Sequence, residues 1–336
     1  MTLYIKYRPS EWSEVAAQNH IVTPLMNALK RGEVAQTLLF TGRHGTGKTT
    51  VARILAEKLG AKGTDIVEID AASNRGIDDA RRLKEESFFI PIHGETKVFI
   101  IDECHMLTKE ANNALLKILE EPPQGVYFVL CTTEISKIPA TIKSRCQQHS
   151  FKPIGSTAIE ERLQLICEKE GIEFENDALH MIARQVQGSM RDGISVLDLL
   201  SNFGFVSTTK TKEVLGMADI ALVRKMISSL ASEQLDLCLN TVAEVTTSGV
   251  NLKEFCSQVT QYFHELLLIQ AGQGDQAVIA NAEDAKRFSY QGVVKAVEIW
   301  NASGNNLHKY AWPELELELA AIECLDYGIS SIQGDF

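Results

Sequence analysis

Residues 42–49 read GRHGTGKT, a match to G-x-x-x-x-G-K-[ST]. The stretch before it, TLLFT (37–41), is a short apolar run that suits a buried strand. The stretch after it, TTVARILAEKL (49–59), carries its apolar residues at helical spacing. A strand, a glycine-rich turn and a helix in that order make a phosphate-binding loop. Gly42, Gly45 and Gly47 let the backbone close around an anion without Cβ clashes. Exposed amides and the N-terminus of the following helix then attract the negative charge. Lys48 is expected to reach the β- and γ-phosphates of a nucleotide, and the Thr49 hydroxyl to ligate Mg²⁺. His44, Thr46 and Thr50 complete the expected cradle.

Working outward, VFIIDECH (98–105) supplies the second half of such a site. Four apolar residues predict a buried strand that delivers Asp102 and Glu103 at its carboxyl end, where ligands of open α/β sheets bind. Two carboxylates there are costly unless a cation compensates them. Asp102 is expected to hold Mg²⁺ through water, and Glu103 to polarise an attacking water. CTTE (131–134) ends a further apolar strand and places Thr133 within reach of the γ-phosphate or that water. Threonines at strand ends are common, so this signal is weak alone. GSMRDGIS (188–195) puts Arg191 near the start of a helix, where a lone arginine is ordinarily a solvated charge.

The rest of the chain follows the same grammar up to about residue 153. DIVEID (65–70) alternates like a strand, GIDDARRLKEESFF (76–89) reads as a helix with acidic residues in its first turn, and KVFIID (97–102) and VYFVLCTT (126–133) read as buried strands. TKEANNALLKILEE (108–121) reads as a helix capped by Thr108 and stopped by Pro122 and Pro123. This alternation predicts a parallel sheet with helices on both faces. Residues 156–207 read as three short helices without a strand. From about 209 to the end the chain reads as helical, with glycine-containing breaks near 248–250, 272–274 and 302–305. The expected fold class is therefore α/β, with an α/β domain (1–153), a small helical domain (154–207) and a larger helical domain (208–336).

Composition excludes several classes. The 336 residues are 45% hydrophobic and 23% charged, which is globular. No stretch approaches the ~18 unbroken apolar residues of a membrane span. MTLYIKYRPSEW at the N-terminus lacks the apolar core of a signal peptide, so a cytoplasmic protein without membrane partners is expected. Seven cysteines with no CxxC pair suggest buried, reduced thiols rather than disulfides or zinc. The net charge of −11 is uneven: residues 208–336 hold 9 Lys+Arg against 17 Asp+Glu, and the first 207 hold 24 against 27. A local basic track in the first two thirds remains open.

KYRP (6–9), GTGKTTVARILAEKL (45–59), EIDAASNRGIDD (68–79), DECHMLTKEANNALLKILEEPP (102–123), KIPATIKSRCQ (137–147) and GSMRDGIS (188–195) occur in the order seen in clamp-loader AAA+ ATPases. The chain resembles above all the bacterial gamma/tau branch of that family, from DNA polymerase III, and is more distantly similar to replication factor C small subunits. The resemblance covers about residues 3–200; beyond them only length and helicity match. It implies an AAA+ domain, a lid and a collar, with ATP and Mg²⁺ as cofactors. Arg145, in SRC, is then the arginine finger of a neighbouring subunit's ATP site, Thr133 is sensor 1 and Arg191 is sensor 2. Tyr7, Arg8 and Pro9 line the adenine side. Arg75, Thr108 and Lys109, near two helix N-termini, become candidate DNA-phosphate contacts, although surface charge explains Arg75 and Lys109 equally well. The implied partners are other loader subunits, in a pentameric assembly through the collar, a sliding clamp and primer–template DNA.

The sequence departs from the family in three places. GAKGTD (60–65) stands where the bacterial subunit usually carries a four-cysteine zinc module, so no zinc is expected. VAAQ (15–18) replaces the usual VVGQ beside the adenine pocket. The long tail of the tau form is missing, so the expectation is a minimal loader ATPase of a kind that a phage or mobile element could encode. Three alternatives stay open: another DNA-associated AAA+ motor, such as a Holliday-junction translocase or helicase loader; a DExH helicase, for which no second RecA-like half is found; and a non-catalytic scaffold, against which the full set of site residues argues.

Overall fold

A computed structural model of the chain describes residues 2–216, 220–273, 280 and 282–330. The chain divides into two compact units, Met1–Thr211 and Lys212–Phe336.

The first unit begins with α1 (Leu3–Lys6) and α2 (Asn19–Arg31). It continues through β1 (Thr37–Thr41), α3 (Lys48–Lys58), β2 (Ile66–Asp70), α4 (Ile77–Glu86), β3 (Lys97–Asp102), α5 (Lys109–Glu120), β4 (Val126–Thr132), α6 (Ala140–Lys143) and β5 (Gln147–Ser150). The five strands form one sheet in the order β2-β3-β4-β1-β5, with every neighbouring pair parallel. Parallel strands need crossovers, and the helices that provide them cover both faces. Side chains alternate between the two cores. Leu38, Phe40, Val98, Ile100, Val129 and Cys131 pack with Ile21 and Leu25 of α2 and Val51 and Leu55 of α3. Leu39, Phe99, Ile101, Phe128 and Leu130 pack on the other side with Leu83 of α4 and Leu115 and Ile118 of α5. This two-sided burial is why the central strands read as unbroken apolar runs.

The fifth strand escaped the sequence reading. QQHS pairs with β1 through Gln147 to Ser150, yet both glutamines and Ser150 are exposed. An edge strand needs only one hydrogen-bonded ladder and little apolar surface, so no periodic signal marks it.

The remainder of the first unit comprises α7 (Ser156–Glu170), β6 (Glu173–Phe174), α8 (Asn176–Gln185), α9 (Met190–Ser201) and β7 (Phe205–Val206). The three helices match the three that were read. The expectation of no strand is corrected, because Glu173–Phe174 and Phe205–Val206 form a two-residue parallel pair. It brings the turn after α7 beside the end of α9, and is too short to show alternation. α10 (Thr208–Leu215) follows.

The described part of the second unit is helical: α11 (Ile220–Ala231), α12 (Leu235–Thr247), α13 (Leu252–Gln270), α14 (Ala282–Ala285), α15 (Tyr290–Asn306) and α16 (Glu314–Tyr327). Trp300, Phe255, Tyr262 and Phe263 are fully buried at its centre. Gly249 and Gly272, both at positive φ, follow α12 and α13 as expected of helix-ending glycines. Residue 274 of the second expected break, and residues 331–336 of the expected helical end, lie outside the described residues. The expected break at 302–305 is corrected: those residues continue α15. A Cβ at Gly304 would sit 3.2 Å from the Cβ of Cys256, so this glycine allows α13 and α15 to approach rather than ending a helix. All seven cysteines are free and buried.

Asp65 organises the loop where the zinc module would stand. Its buried carboxylate accepts backbone N–H bonds from Ile92 (2.7 Å), His93 (2.6 Å) and Gly94 (2.7 Å). Burial pushes its pKa up, but the three amides outweigh burial and hold it below the usual carboxylate value. A depressed folded pKa adds stability that is full above the unfolded pKa near ~3.9 and is lost as pH falls through the folded value. Asp65→Asn turns an amide nitrogen toward those donors. It is expected to cost about 1.5–3 kcal/mol at neutral pH. Urea unfolding between about pH 5 and 2.5 should then show a shallower acid loss than the parent; an unchanged acid slope contradicts this account.

Ala17 is exposed, with φ of 57°. That left-handed backbone costs a residue with a Cβ about 1–2 kcal/mol. Ala17→Gly removes this cost against about 0.4–1 kcal/mol of added unfolded-chain entropy. The variant is expected to be about 0.5–1 kcal/mol more stable, seen as a raised urea midpoint; a lowered midpoint contradicts the strain.

Candidate nucleotide-binding site

The turn after β1 opens α3, and a cavity of about 320 Å³ lies over it. Tyr7, Arg8 and Pro9 form one wall, the turn residues His44–Thr50 the floor, Asp102 and Glu103 one end, and Arg191 the side supplied by α9. Every residue expected in the nucleotide cradle lines this cavity except Gly42, which lies just behind it.

The glycines are where close approach demands them. Gly42 has φ of 147°, and a Cβ there would lie 2.5 Å from the carbonyl oxygen of Phe151. At Gly45 (φ 67°) a Cβ would meet Ser189 Oγ at 1.9 Å. The turn is thus packed against the start of α9. The Met190 amide donates to the Gly45 carbonyl at 3.1 Å, and Ser189 Oγ caps α9 by accepting from the Asp192 amide at 3.3 Å.

Lys48 is only 5% exposed. Its Nζ donates to the carbonyl oxygens of Gly42 (2.8 Å) and Arg43 (2.9 Å). Burial lowers its pKa, opposed by the nearby Glu103 carboxylate. An ammonium so placed gains from any anion brought to the loop. Thr49 Oγ1 donates to Asp102 Oδ2 at 2.9 Å. A hydroxyl and a carboxylate oxygen meeting at the cavity edge are the hard donors that Mg²⁺ takes, so these residues fit the ion.

Glu103 follows with φ of 47°, a left-handed turn that swings its side chain off the strand line. Its amide donates to Asp102 Oδ1 at 3.0 Å, and its Oε2 accepts from Thr133 Oγ1 at 3.0 Å. His44 Nδ1 lies 3.4 Å from its other oxygen, Oε1. Thr133 does not line the cavity; it reaches the site through Glu103. Arg191, the second residue of α9, holds its guanidinium 5.3 Å from the centre of the Tyr4 ring.

On the opposite wall, Arg8 Nε donates to Thr50 Oγ1 at 3.3 Å, and burial lowers the Arg8 pKa. The Tyr7 hydroxyl bonds to Glu170 of α7, and Arg162 Nη2 donates to the Tyr7 carbonyl at 2.9 Å. Sequence reasoning missed Arg53 and Arg162, which also line the cavity. It also missed Gln18, which is fully buried. Gln18 Nε2 donates to the carbonyls of Thr46 (3.3 Å) and Lys152 (2.8 Å), tying the loop to the segment that enters α7. One buried polar side chain has no periodicity to reveal it.

Arg145 does not line the cavity. It follows α6, where Nε and Nη2 donate to Glu120 Oε2 at 3.2 and 3.1 Å and Nη1 donates to the Thr141 carbonyl at 2.8 Å. Arg75 and Lys109 are exposed beside α4 and α5. The Thr108 amide donates to the Arg75 carbonyl at 3.0 Å, and Thr108 Oγ1 accepts from the Ala111 amide at 3.2 Å, so the two helix starts lie side by side. Among the described residues, no helix is long and apolar enough to cross a membrane.

Three family profiles match the chain in succession: DNA polymerase III, delta subunit, over residues 61–155; DNA polymerase III clamp loader subunit, ATPase lid domain, over 158–199; and DNA polymerase III subunits gamma and tau domain III, over 206–295. DNA polymerase III subunit gamma/tau of Mycobacterium tuberculosis is 33% identical over 97% of this chain and 62% of its own length. The gamma/tau subunit of Mycoplasma genitalium is 39% identical over 76% of this chain and 47% of its own. Subunit tau of Escherichia coli is 33% identical over 79% and 45%. The chain thus spans 62% or less of the length of these relatives. In fold, the first-unit architecture is that of AAA+ proteins. The Thermotoga maritima RuvB Holliday junction branch migration motor matches with a TM-score of 0.53 at 24% identity, over 66% of this chain and 79% of that one. By its consecutive profile matches and its identity to gamma/tau subunits over most of its length, the chain belongs to the DNA polymerase III gamma/tau family of clamp-loader subunits.

Proposed function

We propose that the chain is an ATP-driven motor subunit of a sliding-clamp loader, which opens the clamp and places it on primer–template DNA in the cytoplasm, at the replisome. The observation that carries this reading is a division of labour. Lys48, Thr49, Asp102, Glu103, Thr133 and Arg191 converge on one cavity, directly or through Glu103, while Arg145 lies outside its lining. The chain's own cavity draws its cations from Lys48, Arg8, Arg53, Arg162 and Arg191, which leaves Arg145 suited to act on a nucleotide held by another subunit.

In this reading the loop amides and Lys48 hold the β- and γ-phosphates of ATP, and Tyr7, Arg8 and Pro9 face the base. Thr49 and Asp102 would hold Mg²⁺, which when bound neutralises phosphate charge. Glu103, held by Thr133, orients the attacking water and draws off its proton. Arg191 senses nucleotide from the lid, residues 154–207, which the Gly45–Met190 bond joins to the loop in the AAA+ domain, residues 1–153. Residues 208–336 act as the collar of a pentameric assembly. Arg75, Thr108 and Lys109, at adjacent helix starts, face DNA phosphate. The other reading, a different DNA-associated AAA+ motor, shares the fold; only a loader requires a clamp for full turnover.

An arginine finger contributes about 10³–10⁵ in rate, or roughly 4–7 kcal/mol of barrier. Arg145→Ala is therefore expected to leave ATP binding intact while lowering DNA- and clamp-stimulated hydrolysis by about 10³-fold or more. The check is nucleotide titration beside a turnover assay with and without primed DNA and clamp. Normal stimulated turnover in an assembly made wholly of the variant contradicts the trans role, and turnover indifferent to clamp favours the other motor.

A further inference from the structure

The turn that carries Glu103 also carries His105, and its imidazole faces the site from behind. The side chain is only 7% exposed. Nδ1 lies 3.3 Å from Glu103 Oε2 and 3.0 Å from Thr132 Oγ1, and Nε2 lies 3.4 Å from Glu134 Oε1. The surrounding groups are themselves fixed. Thr132 Oγ1 accepts from the Glu134 amide at 3.0 Å, and Glu134 is paired with Lys137 at 2.9 Å. The ring therefore ties the turn after β3 to the end of β4.

The two oxygens of Glu103 are treated differently. Oε2 accepts from Thr133 Oγ1 at 3.0 Å, and His105 Nδ1, itself hydrogen-bonded to Thr132 Oγ1, lies 3.3 Å from the same oxygen. Oε1 lies 3.4 Å from the largely exposed His44 ring of the phosphate-binding loop. A carboxylate that takes a proton from water needs one free oxygen aimed at the reacting atoms and a fixed orientation. Because Glu103 sits on a left-handed residue at a strand end, its backbone alone leaves the side chain torsions open.

We infer that His105 is a positioning residue for Glu103, pinning Oε2 together with Thr133 so that Oε1 is the oxygen presented to the attacking water. This rests on the reading of Glu103 as the group that polarises that water. His105 touches neither nucleotide nor water in this account. Its loss changes the orientation of the base and leaves the loop, Lys48 and the Thr49–Asp102 pair in place.

The test uses the full chain with ATP, Mg²⁺, primed DNA and clamp. Turnover, ATP binding and thermal melting are measured for His105→Ala, His105→Asn, His105→Phe and Glu103→Gln. The asparagine amide can stand where Nδ1 stands, whereas phenylalanine restores volume without a donor. The alanine variant should lose about 10–100-fold in kcat, with the KM for ATP within about two-fold of the parent. Asparagine should recover most of that loss and phenylalanine should not. Recovery by phenylalanine as complete as by asparagine overturns the inference, since packing alone would then suffice. Unchanged kcat in the alanine variant, with Glu103→Gln inactive, overturns the inference and spares the reading of Glu103. Full turnover by Glu103→Gln overturns that reading itself.

Discussion

A buried ammonium sets the conditions that the rest of the first unit meets. Lys48 has almost no exposure, and a charge taken from water must be repaid by dipoles or opposite charge. Two carbonyls of the loop provide the dipoles, which fixes the path of residues 42–48 and explains why glycines occupy its tightest points. The carboxylates of Asp102 and Glu103, delivered by the adjacent buried strand, provide opposite charge. Each side of this arrangement needs the other: two carboxylates at a strand end are tolerable beside a cation, and the cation is tolerable beside them. In the proposed reading, an entering triphosphate would take over part of this balance at the Lys48 ammonium.

The same loop is linked to three segments distant in sequence. Gln18 joins Thr46 to Lys152, the Met190 amide joins Gly45 to the lid helix, and hydrogen bonds of Arg8 to Thr50 and of Arg162 to the Tyr7 carbonyl join the loop helix to α7. Each link is one or two hydrogen bonds, on the scale of about 0.5–1.5 kcal/mol. In the proposed reading, such links would pass a change at the phosphates to the lid without locking it in place. Arg145 stands outside this network on its own ion pair with Glu120, and its action on a nucleotide is proposed for a neighbouring subunit.

How much of this was legible in the sequence depended on the kind of signal. The central strands were plain because burial on both faces makes them continuously apolar, as in KVFIID. The phosphate loop was plain because glycine is the residue type that such backbone geometry admits. QQHS was not, because an edge strand carries no apolar stripe. The pairing of Glu173–Phe174 with Phe205–Val206 was too short to have a period, and Gly304 looked like a helix end when its role is helix-to-helix contact. In the site, residues named by motif were found together, whereas Gln18, His105, Arg53 and Arg162 were not foreseen. Their importance comes from partners far away in sequence, which no local pattern encodes. The placement of Arg145 came from resemblance, since nothing in its own spacing distinguishes it from other surface arginines.

The central claim is that one chain supplies the nucleotide site and another supplies the finger. Mixing two inactive variants tests this most directly. Lys48→Ala lacks the phosphate ligand but keeps Arg145; Arg145→Ala keeps the complete cavity but lacks the finger. Co-assembled, they form some interfaces in which an intact cavity faces an intact arginine. The account predicts that DNA- and clamp-stimulated ATP hydrolysis reappears in the mixture and is absent from either variant alone. A mixture as inactive as its components, with co-assembly verified, would contradict it.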